Sequence, residues 1–204
     1  MPNDNGFDFV VVGVGGQGIL LASNILAEVG LAAGYDVKKS EVHGMSQRGG
    51  SVVSHVRWRR AGVHSPLVGI GEADVLLAFE KMEALRFAHF LRPRGTAVVN
   101  DAIIVPVTVS AGSATYPDDA HLERTFAGLD AHVVTVPGER LAQEAGNVKA
   151  ANVVLLGAMS TLLPLSEDDW WACLEQRVPK KFLDLNKVAF ASGRAAVAQA
   201  GVGT

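Results

Sequence analysis

Apolar and polar positions alternate along the chain in blocks that read as strand, helix, strand, helix. Residues 9–12 form a short, fully apolar run, the pattern of a strand buried on both faces. From residue 17 to about 33 the period lengthens, with Ile19, Ala22, Leu26 and Val29 on one helical face. Residues 36–40, 52–59, 74–79, 96–100 and 132–136 read as further strands, and 81–91 and 118–129 as helices. With Ala61 and Gly62 as a turn, the strand at 52–59 is expected to enter a hairpin, and residues 92–95 read as a second turn. Residues 103–109 predict one more strand, weakened by Pro106, which has no N–H to give to a ladder. The last third turns helical over about 150–163, 166–177 and 181–200, punctuated by Pro164 and Pro179. The pattern predicts an α/β fold, one Rossmann-like doubly wound domain over residues 1–204 with a mainly parallel sheet and a helical C-terminal portion.

Composition narrows the chemistry. Hydrophobic residues make up 49% of 204, ample for a buried core, and the aromatic share is only 6%. Cys173 is the single cysteine. An iron–sulfur cluster needs about four thiolates and a disulfide needs two, so the chain holds neither by itself, and no metal site is expected. The chain opens without Lys or Arg ahead of its first apolar run, unlike a secretory leader. Glycines break the apolar stretch 9–33, so no membrane span is expected and the setting is read as cytoplasmic. A net charge of -3 without a nucleic-acid motif argues against a nucleic-acid partner. Lys38, Lys39, Arg48, Arg57, Arg59 and Arg60 nevertheless cluster, as either a solvated face or an anion or docking surface.

Two stretches carry candidate chemistry. Gly13, Gly15, Gly16, Gln17 and Gly18 fit G-x-G-x-x-G between a predicted strand and a predicted helix. Glycines let the backbone approach a phosphate, and the helix start offers free N–H groups and a partial positive charge. Glu41 falls roughly where a ribose-binding acid would sit, so dinucleotide binding and a plain strand–helix turn both stay open. The second stretch contains His43, Gly44, Ser46, Gln47, Arg48, Gly49 and Gly50. Its hydroxyl, amide and guanidinium groups suit phosphate or carboxylate, and it lacks an acid–base pair, so it argues for binding and not for catalysis. Cys173 lies in an apolar helical setting and reads as an inert core thiol.

GVGGQGI at 13–19 and EVHGMSQRGGSVVSHVR at 41–57 resemble the gamma domain of the 2-oxoacid:ferredoxin oxidoreductases. GEADVLLAFEKMEALR at 71–86, NVKAANVVLLGA at 147–158 and VPKKFLDLNKVAFASG at 178–193 narrow the resemblance to small subunits acting on aryl 2-oxoacids such as indolepyruvate. The resemblance implies oxidative decarboxylation to an acyl-CoA, with carbon dioxide and reduced ferredoxin as the other products. It places thiamine diphosphate, Mg2+ and the iron–sulfur clusters in a large (alpha) partner subunit, makes ferredoxin the acceptor, and leaves this chain without a cofactor or catalytic residue of its own. It makes this chain a contributor to assembly and to the coenzyme A pocket. Lys149 and Asn152, at the start of a later helix, are candidates for the same surface as the two glycine-containing loops. A stand-alone nucleotide-binding protein, a ligand-free assembly module and a gamma subunit for pyruvate or another 2-oxoacid are the competing readings.

Overall fold

The apolar run at residues 9–12 lies at the centre of the molecule. It belongs to β1 (Gly6–Val14), a strand buried along its whole length. The computed structural model describes residues 6–43, 50–113 and 115–199. After β1 come α1 (Ile19–Ala32), β2 (Asp36–His43), β3 (Ser51–Arg59), β4 (Ala73–Ala78), α2 (Lys81–Phe87) and β5 (Leu91–Asn100). Next are the single turn α3 (Val107–Ser110), α4 (Asp119–Gly128), β6 (His132–Val136) and α5 (Gly138–Glu144). The chain ends in α6 (Ala151–Ser160), α7 (Glu167–Arg177) and α8 (Leu183–Gln199).

The six strands form one sheet in the order β2-β3-β1-β4-β5-β6. The pairs β1–β4, β4–β5 and β5–β6 are parallel, and β3 runs antiparallel to both of its neighbours. Side chains alternate between two cores, as the pleat requires. Phe9, Val11, Leu77 and Val98 face α1, α6, α7 and α8; Val10, Val12, Leu76 and Val99 face α2 and α4. The sheet is therefore doubly wound, as the strand–helix pattern predicts. β1 leads to α1 on one face and β4 to α2 on the other, so the crevice between their carboxyl ends is the switch point of the fold.

Close packing explains several glycines. A Cβ on Gly30 would lie 2.4 Å from the Trp58 ring, which fills the space beneath α1. α6 and α8 cross almost backbone to backbone: a Cβ on Gly157 would meet Phe190 O at 2.1 Å, and one on Gly193 would meet Val154 O at 1.9 Å.

Three expectations change. The strand at 52–59 does form a hairpin, but with β2 before it. Beyond Gly62 the chain carries Pro66, Gly69 and Gly71, which do not sustain a ladder. No strand forms at 103–106, where the N–H of Ile104 bonds the Glu80 carboxylate, and 107–110 is a helical turn. β6 already occupies the free side of β5, so no place is left there for another strand. The turn at 92–95 survives as a bulge inside β5. Ala73 pairs with Leu91 but Val75 with Thr96, and Arg94 has φ 61°.

Candidate functional site

β1 ends at Val14, and Gly15 to Gly18 carry the chain over the sheet edge into α1. Gly16 (φ 107°) and Gly18 (φ 87°) occupy backbone conformations that side chains resist. Gln17 locks this loop: the Val14 N–H donates to its Oε1 at 2.8 Å, and its Nε2 donates to Phe79 O at 2.9 Å. One side chain thereby ties the end of β1 to the residue following β4. Asn100, the last residue of β5, donates from Nδ2 to the same Phe79 carbonyl at 3.2 Å. Its Oδ1 accepts from Gly138 N at 3.0 Å, which places the start of α5.

A crevice of about 410 Å³ opens above these residues, walled by Gly16, Gln17, Gly18, Asn100, Lys149 and Asn152, with Phe79 and Glu139 beside them. The structure thus brings the glycine loop and the start of α6 together, although Gly18 and Ala151 are far apart in sequence. A Cβ on Gly18 would lie 2.9 Å from Asn152 Nδ2, and its φ of 87° is one that side chains resist. A second groove of about 260 Å³, lined by Leu21, Val153, Pro179 and Phe182 among others, shares Lys149 and Asn152 with the first.

The electrostatics favour an anion. α1 begins at the crevice with no side-chain cap, leaving its first N–H groups directed outward. The 3-10 turn that leads into α6 is capped instead by Asn147, whose Oδ1 accepts from Lys149 N at 3.0 Å, and Asn152 Oδ1 takes the Val153 N–H at 2.9 Å. α2, α4 and α7, which begin elsewhere, are capped by Glu80, Asp118 and Ser166. Lys149 is exposed and adds a positive charge, opposed at the rim by Glu139.

Gly13 packs against Phe79, with a built Cβ 2.8 Å from the Phe79 Cβ, so close packing requires a glycine there. Gly15 N–H donates to Gly50 O at 2.9 Å, which joins the glycine loop to the residue entering β3. His43 ends β2 on the same sheet edge. Gly44, Ser46, Gln47, Arg48 and Gly49 lie outside the described residues. Glu41 is ion-paired with Lys39, and β3 stands between its strand and β1, so it does not reach the crevice.

The described cations of the basic stretch are held by the chain itself. Asp8 is sandwiched by Arg57 and Arg59, at 2.8 and 2.6 Å, and Arg60 caps the Tyr35 ring. Burial pushes the Cys173 thiol up, as an inert core residue requires. Among the described residues no group of three His, Cys, Asp or Glu is placed to hold a metal. Sequence reasoning missed Asn100 and Glu139; the one trace of the first is a lone Asn closing an apolar strand, which has many explanations.

The model of the pyruvate ferredoxin/flavodoxin oxidoreductase family matches residues 8–196. The chain belongs to that family. It is 45% identical over 193 residues to the indolepyruvate oxidoreductase subunit IorB of Thermococcus kodakarensis, covering 92% of this chain and 94% of that one. It is 43% identical to the subunit of the same name from Pyrococcus horikoshii, over 92% and 94% of the two chains. The 2-oxoglutarate:ferredoxin oxidoreductase from Magnetococcus marinus, solved with 2-oxoglutarate, coenzyme A and succinyl-CoA, shares the fold at a TM-score of 0.75 and 21% identity. That match takes in 97% of this chain but 32% of the other. The chain is a small subunit of a 2-oxoacid:ferredoxin oxidoreductase. No described helix is long and apolar enough to cross a membrane.

Proposed function

We propose that this subunit serves an oxidoreductase for indolepyruvate and related aryl 2-oxoacids, and that its crevice holds the phosphate-bearing part of coenzyme A. The observation that carries the reading is the joining of Gly16–Gly18, at the uncapped start of α1, with the exposed ammonium of Lys149. Backbone N–H groups and an ammonium suit a pyrophosphate, and the fold's switch point is where such ligands bind. Identity near 45% over almost the whole chain to subunits named for indolepyruvate supports the substrate.

In this reading the large subunit carries thiamine diphosphate, Mg2+ and the iron–sulfur clusters, and ferredoxin takes the electrons. Thiamine diphosphate supplies the carbanion chemistry of decarboxylation. This chain binds and orients: the glycine loop and Lys149 hold the anion, and Gln17 and Asn100 keep the loop at its height above the sheet. A dinucleotide reading fits less well, because the acid that would take the ribose is separated from the loop by β3.

The test is steady-state kinetics of the reconstituted complex. Lys149→Ala should raise the KM for coenzyme A about tenfold, the scale of one charge-assisted hydrogen bond, with kcat little changed. An unchanged KM would remove the anion role. Faster turnover of pyruvate or 2-oxoglutarate than of indolepyruvate would overturn the substrate.

A further inference from the structure

The groove beside the crevice is set among the helices of this chain. Leu21 of α1, Val153 of α6, Leu185 of α8, Pro179 and Phe182 supply its apolar walls. Its volume of about 260 Å³ suits one flat heterocycle and not a whole cofactor. Lys149 and Asn152 border both the groove and the crevice. A ligand whose anion sits at Lys149 therefore continues directly into the groove.

Two carboxamides that line the groove have polar atoms to spare. Asn186 is 8% exposed, and its Nδ2 donates to Phe182 O at 2.8 Å. Among the described residues nothing donates to its Oδ1. A carboxamide oxygen so buried costs free energy until a donor reaches it. Asn152 spends its Oδ1 on the Val153 N–H at 2.9 Å, which leaves its Nδ2 as a donor. The groove thus offers an acceptor and a donor beside an aromatic ring and aliphatic walls. That set complements adenine, whose exocyclic amine donates, whose ring nitrogens accept and whose faces stack. Lys181 Nζ stands 4.9 Å from the centre of the Phe182 ring, and Lys180 is exposed next to it. Arg177, also on the groove, is taken by Glu28.

We infer that this groove is the subsite for the adenine of coenzyme A, with Asn186 Oδ1 accepting from the exocyclic amine and Phe182 stacking on the ring. The inference rests on the coenzyme A reading above and assigns one end of that ligand. Two observations select the adenosine end over the pantetheine arm. Both ends are joined to the pyrophosphate, but the arm carries the thiol and must leave this chain for chemistry that the chain lacks. The groove is bounded by α1, α6 and α8 of the chain itself, which suits the end that does not react. The second observation is charge. Lys180 and Lys181, beside Phe182, match the extra phosphate on the ribose of the adenosine, whereas the arm bears no charge.

The test measures dissociation constants by calorimetry on the reconstituted complex. The probes are coenzyme A, its etheno derivative, whose exocyclic amine is tied up in a ring, and phosphopantetheine, which lacks the adenosine. Phe182→Ala should weaken coenzyme A about tenfold, the scale of one lost base–aromatic contact, and change phosphopantetheine less than about twofold. The wild type should prefer coenzyme A over the etheno derivative by about fivefold or more, the scale of one hydrogen bond to a buried group. Asn186→Leu should erase that preference, and Asn186→Asp, which keeps an acceptor, should retain it. Thermal melts establish that each variant is folded, and Phe182→Leu serves if Phe182→Ala is not. Equal weakening of coenzyme A and phosphopantetheine by Phe182→Ala assigns the groove to the arm and overturns the inference. A wild type indifferent to the blocked amine overturns it as well. Unchanged coenzyme A binding in the folded variants overturns it and leaves the function standing. Only if Lys149→Ala also leaves that binding unchanged does the coenzyme A reading fall with it.

Discussion

Gln17 and Asn100 donate their side-chain amides to one carbonyl, that of Phe79, at 2.9 and 3.2 Å. The two residues come from different strand ends and meet only because β4 lies between β1 and β5. Removing either leaves Phe79 O one donor; removing both leaves it none. Gln17→Ala and Asn100→Ala should each cost about 1–3 kcal/mol, since each also strands a backbone N–H. The double variant should cost more than the sum by at least about 0.5 kcal/mol. A urea double-mutant cycle measures this, and simple additivity would contradict the shared-acceptor account.

Gly157→Ala and Gly128→Ala should move stability in opposite directions. At 157 a methyl group meets the α8 backbone, and overpacking of this kind costs about 1–3 kcal/mol or more. At 128, in the last turn of α4, nothing lies within 4 Å, and alanine should stabilise by a few tenths of a kcal/mol, about the helix-propensity gain near a terminus. Denaturant midpoints with unchanged slopes would read both effects.

Glu83 gives a pH signature. Desolvation by burial raises its carboxyl pKa above the ordinary 4.5, although the Ser51 hydroxyl and Arg86 oppose the shift. The folded state therefore holds this proton to higher pH than the unfolded chain does. Its contribution favours folding below the ordinary value and is lost as pH rises through the folded pKa. Glu83→Gln should raise the Tm relative to wild type at pH 7, and the difference should shrink below pH 4.5. A difference independent of pH would rule out titration as the cause.

Cys173 should be silent to a thiol reagent in the native chain. It is 6% exposed, and burial pushes the thiol up, with Glu28 and Asp169 adding in the same direction. Labelling should appear only with unfolding, tracking the denaturant midpoint. Rapid labelling of folded protein would show that α7 opens locally.

Much of the fold was legible in the pattern of apolar runs, because each central strand is buried on both faces and each helix on one. The strands at 74–79 and 132–136 and the helices at 17–33 and 166–177 follow directly from those periods. The candidate site was legible in part. The glycine loop announces itself, since only glycine tolerates φ near +90° where the chain turns over the sheet edge. Asn100 does not, because a polar residue at a strand end has many explanations until its two partners are in place.

The sequence by itself determined the alternating layers, the glycine turn at the sheet edge and, through its single cysteine, the chain's inability to hold an iron–sulfur cluster alone. Those properties depend on local period, local backbone freedom and a count of ligands. Tertiary structure decided which strands are neighbours, and that changed the chemistry. β3 entered between β2 and β1 and carried Glu41 away from the glycine loop. Asp8 met Arg57 and Arg59 across a strand pair and neutralised much of the basic stretch. Residues 103–105, apolar enough for a strand, were left on the surface because β6 had already taken the edge of β5 and Glu80 had taken the Ile104 N–H. Such outcomes depend on partners distant in sequence, which no local pattern specifies.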